Sequence, residues 1–150
     1  MLAAALIPLM GALGGIVSKD FLAGRRDELA RRKHARTIRR GPYRDFANAM
    51  EHLVALAMTE PRLPRIDAED AAVARRVTEL NGVASPLGLA AARAWLSAAR
   101  NLRDAQALYE VARESGDAAV PGAWARLAAA RAELVNARMA FAAMMEREIG

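Results

Sequence analysis

Residues 85–116, SPLGLAAARAWLSAARNLRDAQALYEVARESG, carry their own start signal, stop signal and internal rhythm. Ser85 suits an N-cap, because its hydroxyl can accept a hydrogen bond from a free N–H of the first turn. Pro86 suits the first helical position, where no N–H is needed. Between these and the break at Ser115-Gly116-Asp117, Trp95, Leu102 and Tyr109 recur every seven residues and so share one side of a helix. A long helix with one apolar seam is stable only against other helices, so this stretch predicts a bundle.

Working outward, the neighbours supply its partners. A second long helix is expected from about Pro121, with Trp124, Leu127, Leu134, Phe141, Met145 and Ile149 on its apolar side and arginines and glutamates opposite. Trp95 and Trp124 read as core anchors between the two long helices, with a partner-binding surface as the sharper alternative. On the other side, a short helix starts near Asp67 as N-cap, places Val73, Val77 and Leu80 on one face, and stops at Asn81-Gly82. Before it, Pro42 opens a helix whose stripe is Tyr43, Phe46, Met50, Leu53, Val54, Ala57 and Met58; Pro61 and Pro64 end it. With 54% hydrophobic but only 5% aromatic residues in 150, the core must be built mainly from alanine and leucine, which favours an all-α fold.

The N-terminal quarter is different. Met1–Ser18 contains no charge, and with Phe21 and Leu22 beyond Lys19 and Asp20 it can reach about 20 residues, enough to span a bilayer if those two side chains snorkel. Alanine, glycine and Pro8 dilute its hydrophobicity. No basic residue precedes the run and many follow it, which argues against a cleaved secretion signal and for a single-pass anchor with its N-terminus outside and the bundle in the cytoplasm. Gly11 and Gly15 make a GxxxG spacing that would let anchor helices associate.

Charge is concentrated behind that run. Lys19–Arg44 holds 10 of the 22 Lys and Arg residues and 3 of the 17 Asp and Glu, so the remainder of the chain is slightly acidic and the net +5 is a local feature. Arg25, Arg26, Arg31, Arg32, Lys33, Arg36, Arg39 and Arg40 are expected to bind anionic lipid headgroups and to fix topology. Nucleic acid is the weaker partner class, since only Tyr43 accompanies these arginines as a stacking group. Leu29 and Ile38 are nearly the only large apolar residues in the segment, which therefore has no broad face to bury.

The expected organisation is thus an anchor at 1–24, a basic juxtamembrane stem at 25–41 and an antiparallel helical bundle at 42–150. The apolar start followed by RRDELARRKHARTIRRGPYRDFANAMEHLVAL, the middle VTELNGVASPLGLAAARAWLSAAR and the ending ARAELVNARMAFAAMMEREIG resemble small membrane-anchored helical proteins of high-GC bacteria and their phages. That resemblance implies an anchored bundle and brings no catalytic residue; the short, proline-containing start departs from it.

Little in the sequence points to chemistry. Cysteine is absent, which removes disulfides, thiolate metal sites and a cysteine nucleophile. His34 and His52 belong to no metal-binding pattern, and no cofactor is expected. Asp67, Glu69 and Asp70 crowd a helix start, where negative charge meets the helix dipole favourably. The glycines have no phosphate-loop context, and no serine has a histidine at suggestive spacing. The expected function is a non-enzymatic interaction or regulatory module with an unknown protein partner, self-associating through anchor or bundle. A membrane-active phage-type lysis or exclusion protein and a soluble nucleic-acid-binding bundle are the alternatives.

Overall fold

A computed structural model describes the backbone of residues 7–116 and 118–150, and the side chains of 23–116 and 118–150. Four helices follow in order: α1 (Ile7–Thr59), α2 (Pro64–Leu80), α3 (Pro86–Ser115) and α4 (Val120–Ile149), with no strand among the described residues. The chain forms two compact units, Met1–Thr37 and Ile38–Gly150. The second is the helical bundle.

Its centre is the α3–α4 hairpin. Only Gly116–Ala119 separates the two helices, and so short a connection makes them antiparallel neighbours. The pairings confirm this, because Tyr109 meets Trp124, Asn101 meets Glu133 and Trp95 meets Phe141, one partner descending as the other climbs. Two seven-residue series line the seam. The buried large residues are Trp95 and Leu102 on α3 and Leu127, Leu134 and Phe141 on α4. Between them run small residues, Ala98, Ala105 and Ala112 on α3 and Ala123 and Ala130 on α4. Alanine at these positions lets the backbones approach while the large side chains interdigitate.

The caps of α3 follow local chemistry. Ser85 has extended backbone, and its Oγ accepts from the Gly88 N–H at 3.0 Å. Gly116 ends the helix in the left-handed conformation at φ 61°, which a residue with a Cβ adopts only at a cost.

The bundle segment of α1 buries Tyr43, Phe46, Met50, Leu53 and Ala57, at alternating spacings of three and four residues. Four rings meet beside it: Phe141 lies 5.9 Å from Tyr43, 5.1 Å from Phe46 and 5.2 Å from Trp95, and Phe46 lies 5.8 Å from Trp95. The short α2 adds Ile66, Val73, Val77 and Leu80.

Several expectations are corrected. The helix expected to open at Pro42 does not begin there; α1 runs through Gly41 and Pro42 as one helix, and the burial of Tyr43 and Phe46 just beyond offsets the lost backbone hydrogen bond. Pro64 opens α2 at its first turn instead of closing the preceding helix, and Leu63, not Asp67, is its N-cap residue. Asp67 pairs with Arg103 at 2.7 Å. Trp124 is 50% exposed and is not a core anchor; Trp95, 2% exposed, is. Helical phase explains this, since Ala123 and Leu127 take the inward positions and turn Trp124 outward onto Tyr109, with Arg131 5.7 Å from its ring.

Among the described residues, no helix is long and apolar enough to cross a membrane. The side chains of Met1–Leu22, on which the expected anchor at 1–24 chiefly rests, lie outside the described residues, as do the surroundings of Gly11 and Gly15.

Candidate functional site

In the first unit the described side chains belong to one stretch of α1, and those from Ala23 to Lys33 are all exposed. Leu29 is 61% exposed, as expected of a helix with no broad apolar face. Arg25, Arg32, Lys33 and Arg36 stand at spacings of 7, 8 and 11 residues and so fall on one side of the helix, while Arg31 falls on another. Glu28 accepts from Arg32 at 2.6 Å across one turn, a solvated contact that contributes little. Arg26, Arg31, Lys33 and Arg36 have no ion pair or side-chain hydrogen bond among the described residues.

Six of the fifteen arginines of the bundle are ion-paired. Arg62 pairs with Glu110 and Glu114, Arg76 with Glu79, Arg100 with Asp70, Arg103 with Asp67, and Arg138 with Glu51. The Arg100–Asp70 contact is a two-bonded fork at 2.8 and 2.7 Å, and the Asp70 carboxylate raises the pKa of the guanidinium further. The Arg100–Asp70, Arg103–Asp67 and Arg138–Glu51 pairs tie one helix to another.

Arg39, expected to face lipid, belongs to this second group. Its Nε donates to the Val83 carbonyl at 2.8 Å and its Nη1 to Glu148 Oε2 at 3.3 Å. The same carboxylate accepts from the Tyr43 hydroxyl at 2.7 Å, and its other oxygen accepts from the Ser85 hydroxyl. Four side chains from α1, the α2–α3 connection and the end of α4 thus close one polar clamp. Gly88 makes room for it, because a Cβ there would collide with the Tyr43 hydroxyl.

Electrostatics follow the geometry. Burial by itself pushes the Glu148 carboxyl up, but the hydrogen bonds from Ser85 and Tyr43 and the charge of Arg39 outweigh it and hold the group below its ordinary 4.5. Burial, and then the anionic Glu148 beside it, raises the Tyr43 phenol well above its ordinary 10.0. The clamp therefore keeps a neutral phenol, an ionised carboxylate and a guanidinium together. These contacts fasten the end of α4 to α1.

Arg40 and Arg44 are exposed and unpaired. His52 lies 3.4 Å from Glu69, a single pair, and no group of three metal-ligating side chains occurs among the described residues. Sequence reasoning missed the clamp. The available signal was Arg39 one helical turn before Tyr43, on the side of α1 leading into its buried stripe.

Comparisons with protein-family models, curated proteins and solved structures find no match. No relative therefore contributes a role to any of these residues.

Proposed function

We propose that this chain is a non-enzymatic, membrane-anchored helical-bundle protein whose basic segment engages anionic lipid and whose bundle serves as an interaction or regulatory module. The observation that carries the reading is the concentration of exposed positive charge on one helical stretch: Arg25, Arg26, Arg31, Arg32, Lys33 and Arg36 are all exposed within twelve residues, and Arg26, Arg31, Lys33 and Arg36 have no ion pair among the described residues. Unpaired charges clustered on an exposed helix and following an uncharged apolar run fit an anionic surface, where each basic side chain contributes on the order of 1 kcal/mol. Met1–Ser18 supplies the anchor in this reading, with the basic flank retained on the cytoplasmic side.

Vesicle flotation tests it. A chain starting at Arg25 should float with vesicles containing anionic lipid and not with neutral ones. Replacing Arg31, Arg32 and Arg36 by glutamine should weaken binding by roughly 3 kcal/mol, on the order of 100-fold. Equal binding to anionic and neutral vesicles, together with sequence-selective binding of nucleic acid near physiological salt, would instead support a nucleic-acid-binding bundle.

A further inference from the structure

A groove of about 610 Å³ lies between α1 and the last turns of α4, bordered by Arg40, Arg44, Ala47, Met145 and Ile149, with Glu146 also on its rim. Ala47, Met145 and Ile149 pack against the core from its edge and remain partly exposed, so an apolar strip is left open to solvent. Arg40 and Arg44 stand one turn apart on α1, and neither has an ion pair or hydrogen bond. This sets them apart from Arg39, which the clamp consumes. Two free cations beside an apolar trough are complementary to a molecule with an anionic head and a hydrocarbon tail.

We infer that this groove binds a single anionic phospholipid, its phosphate held by Arg40 and Arg44 and one acyl chain lying along Ala47, Met145 and Ile149. The inference rests on the membrane reading above and adds to it a discrete, saturable site on the bundle itself. Glu146 is exposed and opposes the anion, so its charge limits the affinity. The neighbouring clamp fixes the end of α4 against α1 and thereby holds the groove's two walls in place.

The test uses the full chain with methionine methyl groups labelled for NMR, held in bicelles of neutral phosphatidylcholine and titrated with phosphatidylglycerol. The Met145 methyl signal should shift saturably, while those of Met58 and Met139, exposed and outside the groove, should not follow it. Replacing both Arg40 and Arg44 with glutamine should raise the half-saturating lipid fraction roughly 25-fold, from about 1 kcal/mol for each charge. Glu146→Gln should lower it. Inorganic phosphate alone should leave Met145 unmoved, since it lacks the chain that fills the trough. If the chain remains in the bicelles but Met145 does not respond, or responds equally in the double variant, the groove site is overturned and the membrane reading stands. If the full chain does not partition into bicelles at all, the membrane reading fails and the groove site with it.

Discussion

Phe141→Ala should be among the most damaging single changes in the bundle. Phe141 is 2% exposed and meets the rings of Tyr43, Phe46 and Trp95, which join α1, α3 and α4. Truncating a buried phenylalanine costs about 3 to 5 kcal/mol through lost transfer energy and the cavity left behind. Edge and tilted ring pairs add roughly 0.5 to 1.5 kcal/mol each in isolation, without being additive here, which places this site near the top of that range. Trp124→Ala removes more atoms yet should cost only about 1 kcal/mol, the magnitude of one exposed cation–π contact with a ring pair, because half of Trp124 already lies in solvent. Urea unfolding of the full chain in neutral detergent, followed by circular dichroism, measures both. A difference of roughly 4 kcal/mol is expected, on the order of 1,000-fold in the folding equilibrium. Equal losses, or a larger loss at Trp124, would refute the assignment of Phe141 as the hub.

Stability should fall with acid through Glu148. Its folded pKa is depressed, so its contribution is complete above the ordinary value of 4.5 and is lost as pH drops through the lower folded value; Glu148→Gln should flatten that part of the pH–stability curve. Tyr43 acts at the other end: its pKa is raised in the folded state, so its contribution is complete below 10.0 and is lost as pH rises beyond that, a loss that Tyr43→Phe should remove. Arg39→Gln should lower the unfolding midpoint in urea clearly by leaving Glu148 short of a partner, whereas Arg36→Gln should leave it within about 0.5 kcal/mol.

Local signals were legible in the sequence where the chemistry is local. Ser85-Pro86 opens α3 and Gly116 closes it because a hydroxyl cap, a ring with no N–H and a left-handed glycine act within a few residues. The stripe from Tyr43 to Ala57 was legible from its period, although Met58, placed on it, is 44% exposed and Leu56, left off it, is buried. Two errors have physical causes. Trp124 looked like core because large apolar residues attract that reading, but Ala123 and Ala130 hold the inward phase, and alanine packs by letting helices approach. Pro42 looked like a boundary because proline breaks isolated helices, while tertiary burial just beyond it carries α1 through. The clamp depends on Arg39, Ser85 and Glu148, which only the fold brings together; the place of Arg39 one turn before Tyr43 was its sole local trace.

The most direct test of the account is membrane retention of the full chain under two washes. Screening by high salt dissolves contacts between basic side chains and headgroups, and alkaline carbonate strips peripheral proteins, but neither releases an inserted helix. The full chain should stay in the membrane pellet through both washes, while a chain starting at Arg25 should leave it with salt. Release of the full chain by salt alone would contradict the anchor at Met1–Ser18 and reduce the basic segment to a surface contact.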